Sequence, residues 1–323
     1  MLHRRRFAGL MLAALPALAR AQAAFPSRPL RIVVPNGAGG AADLTARLIG
    51  QQIAGPLGQS VVIENRPSAG GIVAAETVAR AEPDGHTMLL VSSGTAVSAA
   101  LFRSLPFDTL RDFAPVSMLA TFDLAIVVKE GGRFRTLDDL LAHARAHPGQ
   151  LNLATPQIGT TQHLAAELFK TTAGVDLQVV PFNGTPPAIT ALLGGQVDAA
   201  LDILGPLMPQ LGSHALRPLA VLGEQRAPQL PDVPAARERG GALAAFNASS
   251  WNGLSVPAKT PPGAIARLHR EVQVALGKAE VKKKLLDLNL VAHGSTPEQL
   301  EARLTADIRR WGEVIARAKI PRQ

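Results

Sequence analysis

The stretch Phe25 to Arg47, FPSRPLRIVVPNGAGGAADLTAR, reads as an apolar strand running into a glycine-rich turn and then a helix. Leu30 to Val34 is short and rich in β-branched residues, and a helical pattern follows from Ala41. Between them, Pro35-Asn36-Gly37-Ala38-Gly39-Gly40 lets backbone N–H groups approach a ligand closely. A helix presents its unpaired donors and the positive end of its dipole at that same place. Such a turn builds an anion site without a charged side chain, and Asn36, Gly37, Ala38, Gly39 and Gly40 are its candidate contacts. The plainer alternative is that the glycines only join a strand to a helix. Asp43 lies in the first helical turn, where its preferred role is that of a capping group. The spacing Gly37-x-Gly39-Gly40 is not the G-x-G-x-x-G of a dinucleotide fold, and the turn lacks the Lys of a phosphate loop.

Upstream of this unit lies an export signal in three parts: Arg4-Arg5-Arg6, an apolar run from Ala8 to Leu18, and the small-residue triplets Ala19-Arg20-Ala21 or Ala21-Gln22-Ala23. Residues 1–23 are expected to be removed. The apolar run is about half the ~20 residues of a spanning helix, and Pro16 interrupts it, so it reads as a cleavable signal and not an anchor. Arg4-Arg5-Arg6-Phe7 also fits a twin-arginine pattern, which leaves the Sec and Tat routes both open. The chain has no cysteine, which excludes disulfides, thiolate metal sites and a lipid-modified cysteine. A freely soluble periplasmic monomer is the expectation.

The formal charge of +8 overstates the basic character of the exported protein. Arg4, Arg5, Arg6 and Arg20 leave with the signal, so 29 basic side chains face 25 acidic ones, or +4. Basic residues are scattered among acids and aromatics make up only 4%, so nucleic acid is not an expected partner.

Roughly 300 mature residues exceed one ordinary domain, and 47% hydrophobic content suffices for two cores. Strand patterns at Leu30–Val34, Val61–Glu64 and Thr87–Val91 alternate with helical ones at Ala41–Ala54 and Ile72–Ala81. A second series of strand patterns follows at Leu124–Val128, Leu151–Ala154, Gln178–Pro181, Val197–Asp202 and Leu216–Leu222. Alternation of this kind predicts an α/β protein with two lobes and a mainly parallel sheet in each. Thr136 with Asp139 marks a helix start, and so does Thr296 with Pro297 and Gln299. The last helix carries Leu300, Leu304, Ile308, Trp311 and Ile315 on one stripe.

The second series repeats the opening plan at Thr155-Pro156-Gln157-Ile158-Gly159-Thr160-Thr161-Gln162-His163, adding two hydroxyls ahead of a helix from Leu164 to Thr172. Two helix starts facing one cleft would hold a carboxylate at each end. His163 would hydrogen-bond a ligand, cap the helix or pack. Arg66-Pro67-Ser68-Ala69-Gly70-Gly71 reads as a tight turn before a helix.

Taken in order, these segments resemble the tripartite tricarboxylate transporter substrate-binding proteins, the Bug receptors, over essentially the whole mature chain. The resemblance is carried by Phe25-Pro26-Ser27-Arg28-Pro29, Glu64-Asn65-Arg66-Pro67 with Gly70-Gly71, Pro83-Asp84-Gly85, and Leu105-Pro106-Phe107-Asp108 with Asp112-Phe113-Ala114-Pro115-Val116. Further on it is carried by Gly159-Thr160, Leu193-Gly194-Gly195-Gln196-Val197, Leu230-Pro231-Asp232-Val233-Pro234 and Ser250-Trp251-x-Gly253. It implies a periplasmic-binding-protein fold of the Venus flytrap, type II-like kind, with a ligand cleft between its lobes. Residues 24–122 would start lobe 1, 123–249 would form lobe 2, and 250–323 would return to lobe 1. The implied function is capture of a small carboxylate for a membrane permease, with no reaction, cofactor or metal. The implied contacts are Asn36 to Gly40, Ser93, Gly94 and Thr95 on one wall, and Gly159, Thr160 and Thr161 on the other. Asp202 matches a family Asp near the cleft, although a strand-end Asp is as often a turn former or cap.

Phe182-Asn183-Gly184 stands where the family usually has Tyr-Lys-Gly, and Ile203 follows Asp202 where Asn is usual. With Asn183 in place of a cation, the expected ligand shifts from a tricarboxylate to a monocarboxylate, an aromatic acid or a less charged diacid. Enzyme readings find little support. His143 and His147 share a helix face but have Arg145, and no Glu, between them, and no G-x-S-x-G elbow is present. An orphan sensor signalling to a membrane kinase, or a secreted α/β enzyme, are the alternatives.

Overall fold

The computed structural model describes residues 25–156, 158 and 160–323; the expected export signal and Gly159 lie outside the described residues. The strands are β1 Leu30–Val34, β2 Val61–Asn65, β3 Thr87–Ser92, β4 Phe113–Phe122, β5 Leu124–Lys129 and β6 Asn152–Thr155. They continue as β7 Gln178–Pro181, β8 Ala199–Ile203, β9 Leu216–Val221, β10 Ser250–Pro257 and β11 Val291–Ala292. The helices are α1 Ala41–Leu57, α2 Ile72–Ala79, α3 Ser93–Leu101, α4 Leu137–Ala146 and α5 Thr161–Ala173. After them come α6 Thr185–Leu193, α7 Leu204–Gly212, α8 Pro262–Gly277, α9 Ala279–Asp287 and α10 Pro297–Arg317.

The strands form two sheets, in the orders β11-β4-β10-β3-β1-β2 and β7-β6-β8-β5-β9. Both are mixed sheets built on a parallel core of three strands. In the first sheet β10 runs antiparallel to both β3 and β4; in the second β5 runs antiparallel to both β8 and β9. The cause is topological. β5 follows directly from β4 of the first sheet, and β10 returns from the second, so each sheet receives in its middle one strand arriving from the opposite lobe. Only β1, β2 and β3, and likewise β6, β7 and β8, keep the parallel order that alternation predicted.

Both sheets are covered on both faces, and the period of two decides which residue meets which helix. In β1, Ile32 belongs to a core with Ile49 of α1 and Leu268 of α8, while Val33 belongs to one with Val78 of α2 and Trp311 of α10. In β5, Ile126 packs with Leu141 of α4 and Phe169 of α5, and Val127 with Leu192 of α6 and Leu207 of α7. The α5 helix serves both lobes. Its Ala165, Ala166 and Phe169 fill the second core, and its fully buried Leu164 sits in the first with Leu300 and Trp311.

The start signals held locally. Thr136 with Asp139 and Thr296 with Gln299 form reciprocal capping boxes. Helix α5 begins at Thr161, three residues before the expected Leu164, because Thr160 caps it by accepting from the His163 N–H at 3.2 Å.

Candidate functional site

A cavity of about 1010 Å³ lies where the carboxyl ends of β1, β3 and β8 meet the starts of α1, α3 and α5. Open α/β sheets place ligands at this position, beyond strand ends where the strand order reverses. β10 runs antiparallel, so it contributes its beginning, and Ser250 and Asn252 join the wall.

Of the residues expected from sequence, Asn36, Gly37, Gly40, Ser93, Gly94, Thr95, Thr160, Thr161 and Asn183 line this cavity. Ala38, Gly39, His163 and Asp202 stand outside the lining, and Gly159 lies outside the described residues.

The glycine turn has few side chains of its own and is fastened by its neighbours. Asn65 Nδ2 donates to the Asn36 carbonyl at 3.0 Å, and Asp43 Oδ2 accepts from the Gly39 N–H at 2.8 Å and from Arg47 Nε at 2.9 Å. Burial alone would raise the Asp43 carboxyl, but Arg47, the Gly39 N–H and Asn65 together hold it below its ordinary value. Asp43 therefore tethers the turn, a close relative of the capping role expected for it. Asn252 Nδ2 donates to Thr45 Oγ1 at 3.1 Å and ties β10 to the first turns of α1.

The helix starts at the cavity differ in their capping. Ser92 Oγ accepts from the Gly94 N–H at 3.2 Å for α3, and Thr160 Oγ1 serves α5 in the same way. Helix α1 has no side-chain cap at Gly40, so its first donors open onto the cavity beside Gly40, Ala41 and Ala42. An open helix start of this kind suits an anion.

Asp202 acts from behind. It is 1% exposed and accepts from Gln162 Nε2 at 3.1 Å, Thr185 Oγ1 at 2.6 Å and the Ile203 N–H at 2.7 Å. Burial raises its carboxyl above the ordinary value despite those three bonds. Gln162 does line the cavity, so Asp202 holds a side chain of the lining from outside it. His163 is buried with an unpartnered Nδ1, and burial lowers its basicity.

Sequence reasoning did not place Ser68 to Gly71, Phe102, Phe107, Phe122, Ser250 or Asn252 in the site. The Gly70-Gly71 pair was legible as a turn, and its place at the end of β2 was a usable signal. Among the described residues, no Lys, Arg, His, Asp or Glu lines the cavity. Among the described residues, no cluster of three or more His, Cys, Asp or Glu stands ready for a metal ion, and no helix is long and apolar enough to cross a membrane.

A family model described as "Tripartite tricarboxylate transporter family receptor" matches residues 45–320. The chain belongs to this family.

Solved relatives agree along nearly the whole length of this receptor. The periplasmic binding protein BugD superposes with a TM-score of 0.80 at 29% identity, covering 93% of this chain and 100% of that one. MatC from Rhodopseudomonas palustris, with bound malate, gives 0.78 at 34% identity over 90% of this chain and 100% of MatC. A second R. palustris protein, with adipate, gives 0.82 at 32% identity over 92% and 99% of the two chains. The receptor thus has the two-lobed fold of the periplasmic binding proteins and belongs among solute-binding receptors of the Bug type.

Proposed function

We propose that this receptor captures a small carboxylate between its lobes in the periplasm and delivers it to the membrane permease of a tripartite tricarboxylate-type transporter, catalysing no reaction. The observation that carries the reading is a cavity of about 1010 Å³ with no ionisable side chain among the described residues of its lining and an uncapped helix start on its wall. Backbone N–H groups of α1, the hydroxyls of Thr95, Thr160 and Thr161, and bridging water would hold the carboxylate. Malate and adipate in related receptors support the ligand class. In this reading residues 24–122 and 250–323 move as one lobe and 123–249 as the other, about a hinge where β4 meets β5 and where β10 begins.

Thermal unfolding of the exported protein, refolded to strip carried-over ligand, against mono-, di- and tricarboxylates tests the reading. A binder at a hundred times its Kd adds about 2.7 kcal/mol, a readily seen shift of the midpoint. Silence across the whole panel would sink the carboxylate assignment.

A further inference from the structure

The cavity is roomy, and it is apolar in an unusual way. Its volume of about 1010 Å³ sits at the top of the roughly 300–1,000 Å³ common for small-molecule sites. Four of the ten phenylalanines in the chain, Phe102, Phe107, Phe122 and Phe182, stand on its wall, with Ile203 and Ile158 beside them. None of these rings is simply left over from a core. Each is half-buried and supported from behind: Phe102 and Phe107 by the cluster around Trp251 and Trp311, Phe122 by that around Ile32, and Phe182 by that around Leu192. Phe107 is also held edge-on against Phe113, with ring centroids 5.7 Å apart. The rings carry no hydroxyl, so this wall gives a ligand apolar contact and no hydrogen bond.

Among the described residues, the lining supplies no cationic side chain to a second carboxylate. One anion-binding feature of the lining is the uncapped start of α1. A ligand complementary to both features has one charged end and a flat apolar body. We propose that the natural ligand class of this receptor is the aromatic monocarboxylates, the carboxylate held at the glycine turn before α1 and the ring among the phenylalanines that line the cavity. This rests on the carboxylate reading above and narrows it. Offset-stacked and edge-to-face ring contacts favour an aromatic body over an aliphatic chain of equal length.

The test is titration calorimetry on the refolded exported protein with benzoate, phenylacetate, malate, adipate and benzamide. The expected result is that benzoate or phenylacetate binds at least about tenfold more tightly than either diacid. Phe182→Ser should remove that preference. Phe182→Leu, which keeps the apolar contact behind the ring, is the second variant if the serine protein does not fold, and it too should narrow the preference. Malate or adipate binding more tightly than both aromatic acids overturns the inference and leaves the carboxylate receptor standing. Benzamide binding as tightly as benzoate overturns the carboxylate reading itself, and this inference falls with it.

Discussion

Ser93 Oγ of the first lobe and Thr161 Oγ1 of the second lie 3.1 Å apart, and both side chains are buried. Ser93 is the first residue of α3 and Thr161 the first of α5, so the bond ties together two helix starts at the cavity. Ser250, where β10 begins, also hydrogen-bonds to Ser93. Three hydroxyls from three separate chain segments thus form one buried junction at the floor of the cleft.

Thr161→Val keeps the volume and removes the hydroxyl at that junction. Stability should fall by about 0.5–1.5 kcal/mol, the usual net worth of such a bond. The bond spans the lobes, so affinity for the bound carboxylate should fall with it. Urea unfolding and calorimetry on the same protein check both effects. Unchanged affinity would mean that the bond does not contribute to holding the lobes together.

Asp202→Ala would leave the Gln162 amide, the Thr185 hydroxyl and the Ile203 N–H without their shared acceptor. The expected loss is about 1–3 kcal/mol in unfolding free energy, together with weaker ligand binding through the displaced Gln162. Asp202→Leu should behave in the same way. A variant that loses stability and binds normally would remove Asp202 from any role at the cavity.

Asp123 sits where β4 passes into β5, and burial pushes its carboxyl up to about 6. An acid whose folded value exceeds its unfolded one binds its proton more tightly in the native state, so stability is lost as pH rises from about 4 through about 6. Asp123→Asn should therefore match the wild type near pH 3.5 and exceed it above pH 7, by up to about 3 kcal/mol. Urea midpoints measured from pH 3.5 to 8 test the sign. A difference that does not grow with pH would mean that Asp123 is well solvated.

Gly70 has φ of 63°, and a Cβ there would come within 2.5 Å of the Phe102 ring and 2.9 Å of Ser98 Oγ. Ser98 Oγ also donates to the Gly70 carbonyl at 2.8 Å. Gly70→Ala thus meets backbone strain and a crowded ring together. The expected cost is about 1–3 kcal/mol, read by thermal unfolding. Affinity should change as well, because Phe102 and Gly70 share the cavity wall.

Much of this was visible locally. β1 and β7 match the expected Leu30–Val34 and Gln178–Pro181 residue for residue, since strand ends beside proline and glycine are marked by short-range chemistry. The capping boxes at Thr136 and Thr296 were equally plain. The Glu64-Asn65-Arg66-Pro67 segment was legible only as a signature, and the structure supplies its physical content. Glu64 pairs with Arg31 at 3.0 Å and also with Arg66, while Asn65 reaches over to hold the Asn36 carbonyl. The strand character of β4 was missed, and with it the way Phe122 reaches the cleft.

By itself, the sequence determined many of the elements, the two glycine turns as possible helix-start anion sites, and the membership that its ordered segments resemble. Periodicity, capping and turn chemistry act over a few residues, so they are written where they act. The tertiary structure alone decided that β5 and β10 enter the middle of each other's neighbouring sheets. That insertion puts Ser250 and Asn252 at the cleft and gives each sheet its antiparallel pairs. It also decided that Phe102, Phe107, Phe122 and Phe182 line one cavity, because residues from separate segments meet only when long-range strand order and the packing of two lobes bring them together.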